Sequence, residues 1–193
     1  MKPRVAILIS GRGSNMEALI KAARAEGFPA EIALVLANKP DAAGLEIAEA
    51  LGVEALAVDS RVFGKNREAH EQAIDAVLMQ HDIQLVCLAG YMRLLTPWLV
   101  RKWEGRMLNI HPSLLPKFPG LDTHARALAA GEAEHGCTVH LVTEGMDEGP
   151  IMGQARVKIL PGDDEASLGA RVLCQEHRLY PEMLAKLAKQ MKA

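Results

Sequence analysis

The sequence contains little of what marks several common classes of protein. Its only cysteines are Cys87, Cys137 and Cys174, an odd number with no CxxC spacing. This indicates neither a disulfide framework nor a zinc site. No apolar run approaches the roughly 20 residues of a membrane span. The apolar run that follows Arg4 is about five residues long, which is too short for a secretory signal peptide. We therefore expect a cytoplasmic protein with no membrane partner.

Neither sign of charge is in excess. The 22 basic and 24 acidic residues leave a net charge of −2, which argues against a nucleic-acid-binding surface. Hydrophobic residues make up 49% and charged residues 24%, the balance of an ordinary globular domain. No repeat or Gly- and Pro-rich linker divides the chain, and its length is enough to bury a sizeable core. We therefore expect one domain over residues 1–193.

Short apolar runs alternate with helical periodicity, which predicts a mostly parallel sheet with helices on both faces. The apolar runs are 5–9, 32–37, 55–58, 83–89 and 107–110, and a short helix is expected to begin with Pro97 after Thr96. Farther along, 137–142 and 151–159 read as an antiparallel pair, and the last 30 residues as helix with a break or kink at Pro181. The expected fold is α/β, with about seven strands and a Rossmann-like N-terminal half.

A glycine-rich segment, Ser10-Gly-Arg-Gly-Ser-Asn15, joins the first strand to the first helix. Backbone amides and the helix dipole favour an anion at such a position. The third glycine of GxGxxG is absent, no acidic residue ends the second strand, and the GK[ST] ending of a P-loop is missing, so neither a dinucleotide site nor a P-loop is expected. The pattern favours a phosphate on residues 13–15. The alternative is a plain turn with a capping box from Ser14 to Glu17.

Asn109 and His111 form the most suggestive pair in the chain. Residues at i and i+2 of a strand share a face, and Pro112 ends the strand immediately afterwards. An amide beside an imidazole at the end of a strand suits chemistry on a carbonyl group. His140 alternates with Thr138 on a later strand, and we expect both to support the same cavity. The other nearby histidines, His124 and His135, read as structural residues, and no metal-binding spacing occurs among the histidines.

Four further polar residues leave alternatives open. Asp147 is either a turn residue or a carboxylate folded against His111, where it would favour the charged imidazole and orient the ring. Glu176 lies inside the apolar stripe of the last helix and needs a partner, either a salt bridge, an edge position or ligand hydroxyls. Arg67 and Arg93 read as solvated surface residues, with contact to an anionic ligand as the alternative.

Several segments closely resemble the phosphoribosylglycinamide formyltransferases, which are folate-dependent enzymes of purine synthesis. The resemblance covers essentially the whole chain in order. The segments that carry it are Ser10-Gly-Arg-Gly-Ser-Asn15, Asn109-Ile-His-Pro-Ser-Leu-Leu-Pro116 with the following Lys-Phe-Pro-Gly-Leu121, and Asp147-Glu-Gly-Pro150. Residues 109–116 mark only the wider formyl-folate family. The first glycine loop and the segment Gly120-Leu-Asp-Thr-His124 narrow the resemblance from that wider family to the phosphoribosylglycinamide formyltransferases.

The resemblance implies transfer of a formyl group from 10-formyltetrahydrofolate to the amine of glycinamide ribonucleotide, without a metal, by a monomer or homodimer. It implies the catalytic residues Asn109, His111 and Asp147. The implied ribonucleotide-binding residues are Gly13, Ser14, Asn15 and Glu176, and the implied folate-binding residues are Arg67, Met92, Arg93, Leu94 and Leu95. Residues up to about 100 are expected to form the phosphate-binding half, and residues from about 101 the catalytic and folate-binding half. A deformylase-type hydrolase and a non-catalytic nucleotide-binding module are the alternatives.

Overall fold

The computed structural model describes residues 1–191, which form a single seven-stranded sheet covered by helices. The strands are β1 (Arg4–Ile9), β2 (Glu31–Ala37), β3 (Glu54–Ala57), β4 (Leu85–Leu88), β5 (Met107–His111), β6 (Glu134–Leu141) and β7 (Ile151–Lys158). Their spatial order is β3-β2-β1-β4-β5-β6-β7. The first five strands are parallel, whereas β6 is antiparallel to both β5 and β7. The predicted fold class and the late antiparallel pair are confirmed.

Six α-helices connect or follow the strands. They are α1 (Ser14–Ala23), α2 (Gly44–Ala50), α3 (Arg67–Gln80), α4 (Pro97–Lys102), α5 (Thr123–Ala129) and α6 (Glu165–Gln190), with a short 3₁₀ helix at Ser60–Phe63. Helix α4 begins at Pro97 directly after Thr96, as predicted. No helix within residues 1–191 has both the length and the apolar character needed to cross a membrane.

Alternate strand residues supply two hydrophobic cores, one on each face of the sheet. Val5, Ile7 and Ile9 of β1 pack in the same core as buried residues of α1 and α6. Ala6 and Leu8 pack in the other core, with residues of α3 and α4. This division follows from the two-residue period of a strand and explains why β1 reads as a continuous apolar run.

Helix α6 runs continuously through Pro181, so of the predicted break or kink the break is wrong. A proline in a helix interior costs about 3 kcal/mol because it removes a hydrogen bond and crowds the preceding turn. Here the turns on both sides are held by burial, since Tyr180, Met183 and Leu184 all lie in the core beneath the sheet. Tertiary packing therefore outweighs the local preference.

The order of the strands creates a crevice at one edge of the sheet. Strand β1 has β2 on one side and β4 on the other, so the chain changes direction between β1 and β4. In open α/β sheets, ligands bind outside the carboxyl ends of the strands at such a switch point. The glycine loop after β1 and the segment after β4 both lie there.

Candidate active site

Strands β5 and β6 bring together four of the polar residues expected from the sequence. In the antiparallel register Asn109 lies opposite His140, and His111 lies opposite Thr138. The amide nitrogen Nδ2 of Asn109 lies 3.3 Å from Nε2 of His140. The other ring nitrogen of His140 lies 2.9 Å from the carbonyl oxygen of Leu141. With the proton on Nδ1, His140 accepts one Asn109 proton and leaves the second amide proton free.

His111 has an acceptor at each ring nitrogen. Its Nε2 atom lies 2.9 Å from the carbonyl oxygen of Phe118, and its Nδ1 atom lies 3.3 Å from Oδ2 of Asp147. Both side chains are nearly buried. An imidazole with two acceptors can satisfy both protons of its charged form, and the carboxylate adds a favourable charge interaction. The site is therefore suited to hold a positive charge next to Asn109.

Asp147 reaches His111 because the 142–150 loop folds back over β5 and β6. Its Oδ2 atom accepts a 2.9 Å hydrogen bond from the amide of Gly120, and its Oδ1 atom lies 3.7 Å from Nε2 of His140. Burial by itself raises the pKa of Asp147. The hydrogen bond from the Gly120 amide and the interaction with His111 act against burial, and the pKa of Asp147 lies below the ordinary value of 3.8. Asp147 is therefore a carboxylate near neutral pH. Of the two alternatives considered from the sequence, the structure shows the carboxylate folded against His111.

Left-handed backbone conformations surround this cluster. Phe118, Asp122 and Asp147 have φ angles of 55°, 55° and 56°, a region that side-chain-bearing residues rarely adopt. Phe118 is also the residue whose carbonyl group faces His111. Such strain persists only where the surrounding structure over-determines it, and it concentrates at functional sites. Neither the conformation of Phe118 nor its contact with His111 was anticipated from the sequence, which carries no local signal for it.

Thr138 supports the loop that follows β5. Its hydroxyl group donates to the carbonyl oxygen of Ser113 at 2.7 Å and accepts from the amide of Leu115 at 3.1 Å. It also accepts a 2.9 Å hydrogen bond from Gln154 on β7. Thr138 is fully buried. It therefore holds the loop at residues 113–115, and all of its contacts are with protein groups.

His124 and His135 form a separate pair behind the same loop. The Nδ1 atom of His124 lies 3.1 Å from Nε2 of His135, and the Phe118 ring meets His135 edge-on. Burial lowers the pKa of His135 to about 4, and the neighbouring His124 and the charge of His111 act in the same direction. The structure pairs the two histidines with each other, and their structural role remains a prediction. Within residues 1–191, no three His, Cys, Asp or Glu side chains are grouped so as to hold a metal ion.

The glycine loop after β1 leads directly into α1. Gly13 precedes the helix with a φ of 70°, and no side chain caps the first turn. Ser14 lies inside the helix, and Glu17 instead pairs with Lys21 at 2.6 Å. The capping box considered from the sequence is therefore wrong. The first amides of α1 lack intrahelical acceptors and face the crevice with the positive end of the helix dipole, an arrangement that suits an anion.

Glu176 on α6 is buried beside this loop. Only 7% of its surface is exposed, and its Oε2 atom accepts a 2.7 Å hydrogen bond from the amide nitrogen of Asn15. Burial raises the pKa of Glu176, and the bond from Asn15 opposes that rise. The protein partner of Glu176 is thus the side-chain amide of Asn15. It is neither the salt bridge nor the edge position considered from the sequence. The Oδ1 atom of Asn15 is buried and has no partner among the described residues, so a ligand hydroxyl can meet both groups.

The segment after β4 forms the third wall of the crevice. Met92 and Leu94 are 67% and 59% exposed, whereas Arg93 is half-buried and Leu95 packs partly against the core. Arg67, the first residue of α3, donates a long hydrogen bond of 3.4 Å to the carbonyl oxygen of Leu94. Arg67 is therefore tied to this segment.

These features together define an α/β protein with a small-molecule site at the carboxyl edge of its sheet. The polar cluster on β5 and β6, the uncapped N-terminal end of α1 and the exposed segment after β4 all lie at the carboxyl edge of the sheet. The family is equally clear. The chain belongs to the formyl transferase family, whose model matches residues 3–184.

Individual relatives support this assignment. The chain is 42% identical over 184 residues to the phosphoribosylglycinamide formyltransferase of Escherichia coli (strain K12), which covers 95% of this chain and 86% of that protein. It is 50% identical over 189 residues to the trifunctional purine biosynthetic protein adenosine-3 of Drosophila pseudoobscura pseudoobscura, covering 97% of this chain. It spans only 14% of the length of that trifunctional protein.

Solved structures agree with the sequence relatives. The phosphoribosylglycinamide formyltransferase of Brucella melitensis superposes with a TM-score of 0.93 at 57% identity, covering 97% of this chain and 96% of that one. Glycinamide ribonucleotide transformylase 1 of Symbiobacterium toebii gives a TM-score of 0.94 at 44% identity, covering 98% and 89% of the two chains. The resemblance inferred from the sequence motifs is confirmed.

Proposed function

We propose that this chain is a phosphoribosylglycinamide formyltransferase, which transfers the formyl group of 10-formyltetrahydrofolate to the amine of glycinamide ribonucleotide. The observation that carries the proposal is the convergence of Asn109, His111 and Asp147 at the edge of the crevice in a chain of the formyl transferase family. An amine is itself a nucleophile, so the reaction needs no activated thiol or hydroxyl. Consistent with this, Cys87 and Cys137 are buried and burial raises the pKa of each thiol to about 12.

The reaction requires stabilisation of a developing oxyanion. The free amide proton of Asn109 is the direct donor. An imidazolium could donate as well, but both ring nitrogens of His111 face protein acceptors. We infer that His111 contributes mainly its positive charge, and that a direct bond to the oxyanion would require the Phe118 carbonyl to share the Nε2 proton.

Proton transfer completes the reaction. The nitrogen of the ribonucleotide amine forms a bond to the formyl carbon, the bond from that carbon to the folate nitrogen breaks, and one proton moves from the first nitrogen to the second. Asp147 is placed to assist through a water molecule, because its pKa is lowered and it remains an acceptor near neutral pH. It also keeps His111 oriented. In this scheme Thr138 and His140 act only through the residues they contact.

The two substrates are assigned to different segments at the carboxyl edge of the sheet. The amides at Gly13, Ser14 and Asn15 bind the phosphate of the ribonucleotide, and Glu176 with Asn15 binds its hydroxyl groups. The segment of Met92, Arg93, Leu94 and Leu95 binds the folate, with Arg67 beside it. The hydrogen bond between Asn15 and Glu176 joins residues 161 positions apart, so the ribonucleotide site draws on both halves of the chain.

A direct test is an absorbance assay for consumption of 10-formyltetrahydrofolate, with and without glycinamide ribonucleotide. We expect consumption only when the ribonucleotide is present, together with stoichiometric formation of its formyl derivative. Release of formate without the ribonucleotide would instead identify a hydrolase that uses the same residues with water as the acceptor. Binding of the ribonucleotide without any formyl transfer would identify a nucleotide-binding module and refute the proposal.

A further inference from the structure

The segment Tyr91–Thr96 combines exposed side chains with a tightly held backbone. Met92 and Leu94, which follow β4 at the carboxyl edge of the sheet, are more than half exposed. Three side chains from other parts of the chain nevertheless bond to the main chain of this segment, at Met92, Leu94 and Thr96. A surface segment that needed only to close the gap between β4 and α4 would not require anchors at both ends and in the middle.

The first anchor is Ser10, at the end of β1. Its hydroxyl group accepts a 2.8 Å hydrogen bond from the amide of Met92 and donates a 2.6 Å bond to Oδ1 of Asn38. Asn38 in turn lies 3.5 Å from the hydroxyl group of Ser60. These three polar residues are buried. They form a chain beneath the edge of the sheet that fixes the beginning of the segment.

The second anchor is Glu71 on α3, at the other end of the segment. Its Oε1 atom accepts a 2.7 Å hydrogen bond from the amide of Thr96, and its Oε2 atom accepts from the Thr96 hydroxyl group. Glu71 is only 2% exposed. A buried carboxylate is costly unless it is well paired. Both of its oxygen atoms are here committed to one residue of the crevice segment.

Asp75 lies one turn farther along the same helix and provides a comparison. It is also buried, and it binds the amine of Lys102 and the indole nitrogen of Trp103. Its contacts therefore hold the end of α4, away from the crevice. Glu71 and Asp75 lie on the same helix face as the core residues Ile74 and Leu78, which is the same anomaly that drew attention to Glu176. Only Glu71 reaches the crevice.

We propose that Glu71 is a positioning residue for the formyl donor, acting together with the other anchor, Ser10. Together they hold the main chain of residues 92–96 in one geometry before the donor binds. A planar heterocycle with donors and acceptors along its edge is recognised by main-chain N–H and C=O groups at fixed spacing. A segment ordered in advance does not lose that conformational freedom on binding. This inference rests on the proposed function, because it assigns the segment to the donor rather than to the ribonucleotide.

The test compares Glu71→Ala with Asp75→Ala in steady-state assays with both substrates. We expect Glu71→Ala to raise KM for 10-formyltetrahydrofolate about tenfold, equivalent to about 1.4 kcal/mol, while kcat and KM for the ribonucleotide change less than about threefold. Glu71→Gln keeps an oxygen for the Thr96 amide and should restore most of the lost affinity. Asp75→Ala should lose stability but leave both KM values unchanged.

Two further measurements keep the outcome clear if Glu71→Ala does not fold. Thr96→Val removes only the hydroxyl donor and should raise KM for the donor about threefold. Amide hydrogen exchange at Met92 and Thr96 should be faster in Ser10→Ala than in the wild type. An unchanged donor KM in the Glu71 and Thr96 variants would overturn the inference, as would equal increases for both substrates or the same increase in Asp75→Ala. If the wild type transfers no formyl group, the proposed function fails instead, and the exchange rates alone report on the anchors.

Discussion

The glycine loop and the β5–β6 cluster form two sides of one crevice, but they are built by different means. At the glycine loop the groups proposed to bind the ribonucleotide are mainly backbone amides of residues 13–15, presented by a local turn into α1. At the cluster they are side chains, and each is held by a partner from another segment. His111 meets Asp147 from the 142–150 loop and the carbonyl group of Phe118, and Asn109 meets His140 from β6.

Under the proposed function, this difference follows from the charge that each side of the crevice has to bind. A phosphate is charged before and after the reaction, so fixed dipoles at a helix end suffice to bind it. An oxyanion exists only near the transition state, and donors that stabilise it must already be oriented for that moment. The left-handed backbone at Phe118 and Asp147 is consistent with this second demand, because it keeps both acceptors of His111 in place.

The largest predicted effect is on kcat and distinguishes the β5–β6 cluster from the glycine loop. Asn109→Ala removes the direct oxyanion donor and should lower kcat about 100–1000-fold. KM for the ribonucleotide should change little, because the glycine loop is untouched. His111→Ala should give a loss of similar size. Steady-state assays, with circular dichroism to check folding, measure both effects. Near wild-type kcat in either folded variant would remove that residue from the catalytic assignment.

A second prediction concerns the acid stability of the cluster side. Burial holds His135 neutral, with its pKa lowered from 6.5 to about 4. Because the folded state resists protonation, the unfolded state binds more protons in this window, and stability falls as the pH drops from about 6.5 to about 4. We expect a loss of about 2–3 kcal/mol in the free energy of unfolding from this group.

Urea unfolding at several pH values measures this dependence. In His135→Gln, which cannot titrate, the loss of stability between pH 6.5 and pH 4 should be clearly smaller than in the wild type. Histidine NMR titration should give a pKa near 4 for His135 in the folded wild-type protein. An ordinary pKa, or an identical pH dependence in the variant, would show that the His124–His135 pair is not the acid-labile element.

The smallest predicted effect is on the glycine side. Gly13 has a φ of 70°, and an added Cβ would lie 3.2 Å from the Cβ of Met16, whereas nothing lies within 4 Å of a Cβ at Gly11. Gly13→Ala should therefore destabilise the protein by roughly 1–2 kcal/mol. Gly11→Ala should change stability by less than about 0.5 kcal/mol. Urea unfolding of the two variants provides a matched comparison.

The same pair of variants tests the phosphate assignment. Titration of the wild type with glycinamide ribonucleotide should shift the amide NMR signals of residues 13–15. Gly13→Ala should weaken that binding more than Gly11→Ala, because it alone disturbs the turn that aims the amides. If the amide signals do not move in the wild type, the phosphate does not bind at this loop.

Features that depend on neighbouring residues were predictable from the sequence. The apolar run of β1, the start of α4 at Pro97 and the shared face of Asn109 and His111 all follow from local periodicity or backbone restriction. The two wrong local expectations failed for different reasons. At Pro181 burial of the surrounding helix overrides the preference for a break, and at Ser14 the left-handed Gly13 shifts the helix start by one residue.

Contacts between distant segments were not predictable. Asp147 is as compatible with an ordinary turn as with a partner for His111, and only the fold of the 142–150 loop decides between these alternatives. Nothing local connects Asn15 to Glu176, or Glu71 to Thr96. For Glu176 the sequence signal was a carboxylate in an apolar stripe. The same signal exists at Glu71, and it indicates a need for a partner without identifying one.

The sequence by itself determined the α/β class, the order of its elements, the family, and the amide and imidazole on one face of β5. These depend on periodicity and on motifs within a few residues. The tertiary structure alone decided which groups face His111, where Glu176 finds its partner, and how the segment after β4 is anchored. Those contacts join segments far apart in sequence, and their geometry is set by packing of the whole sheet and its helices.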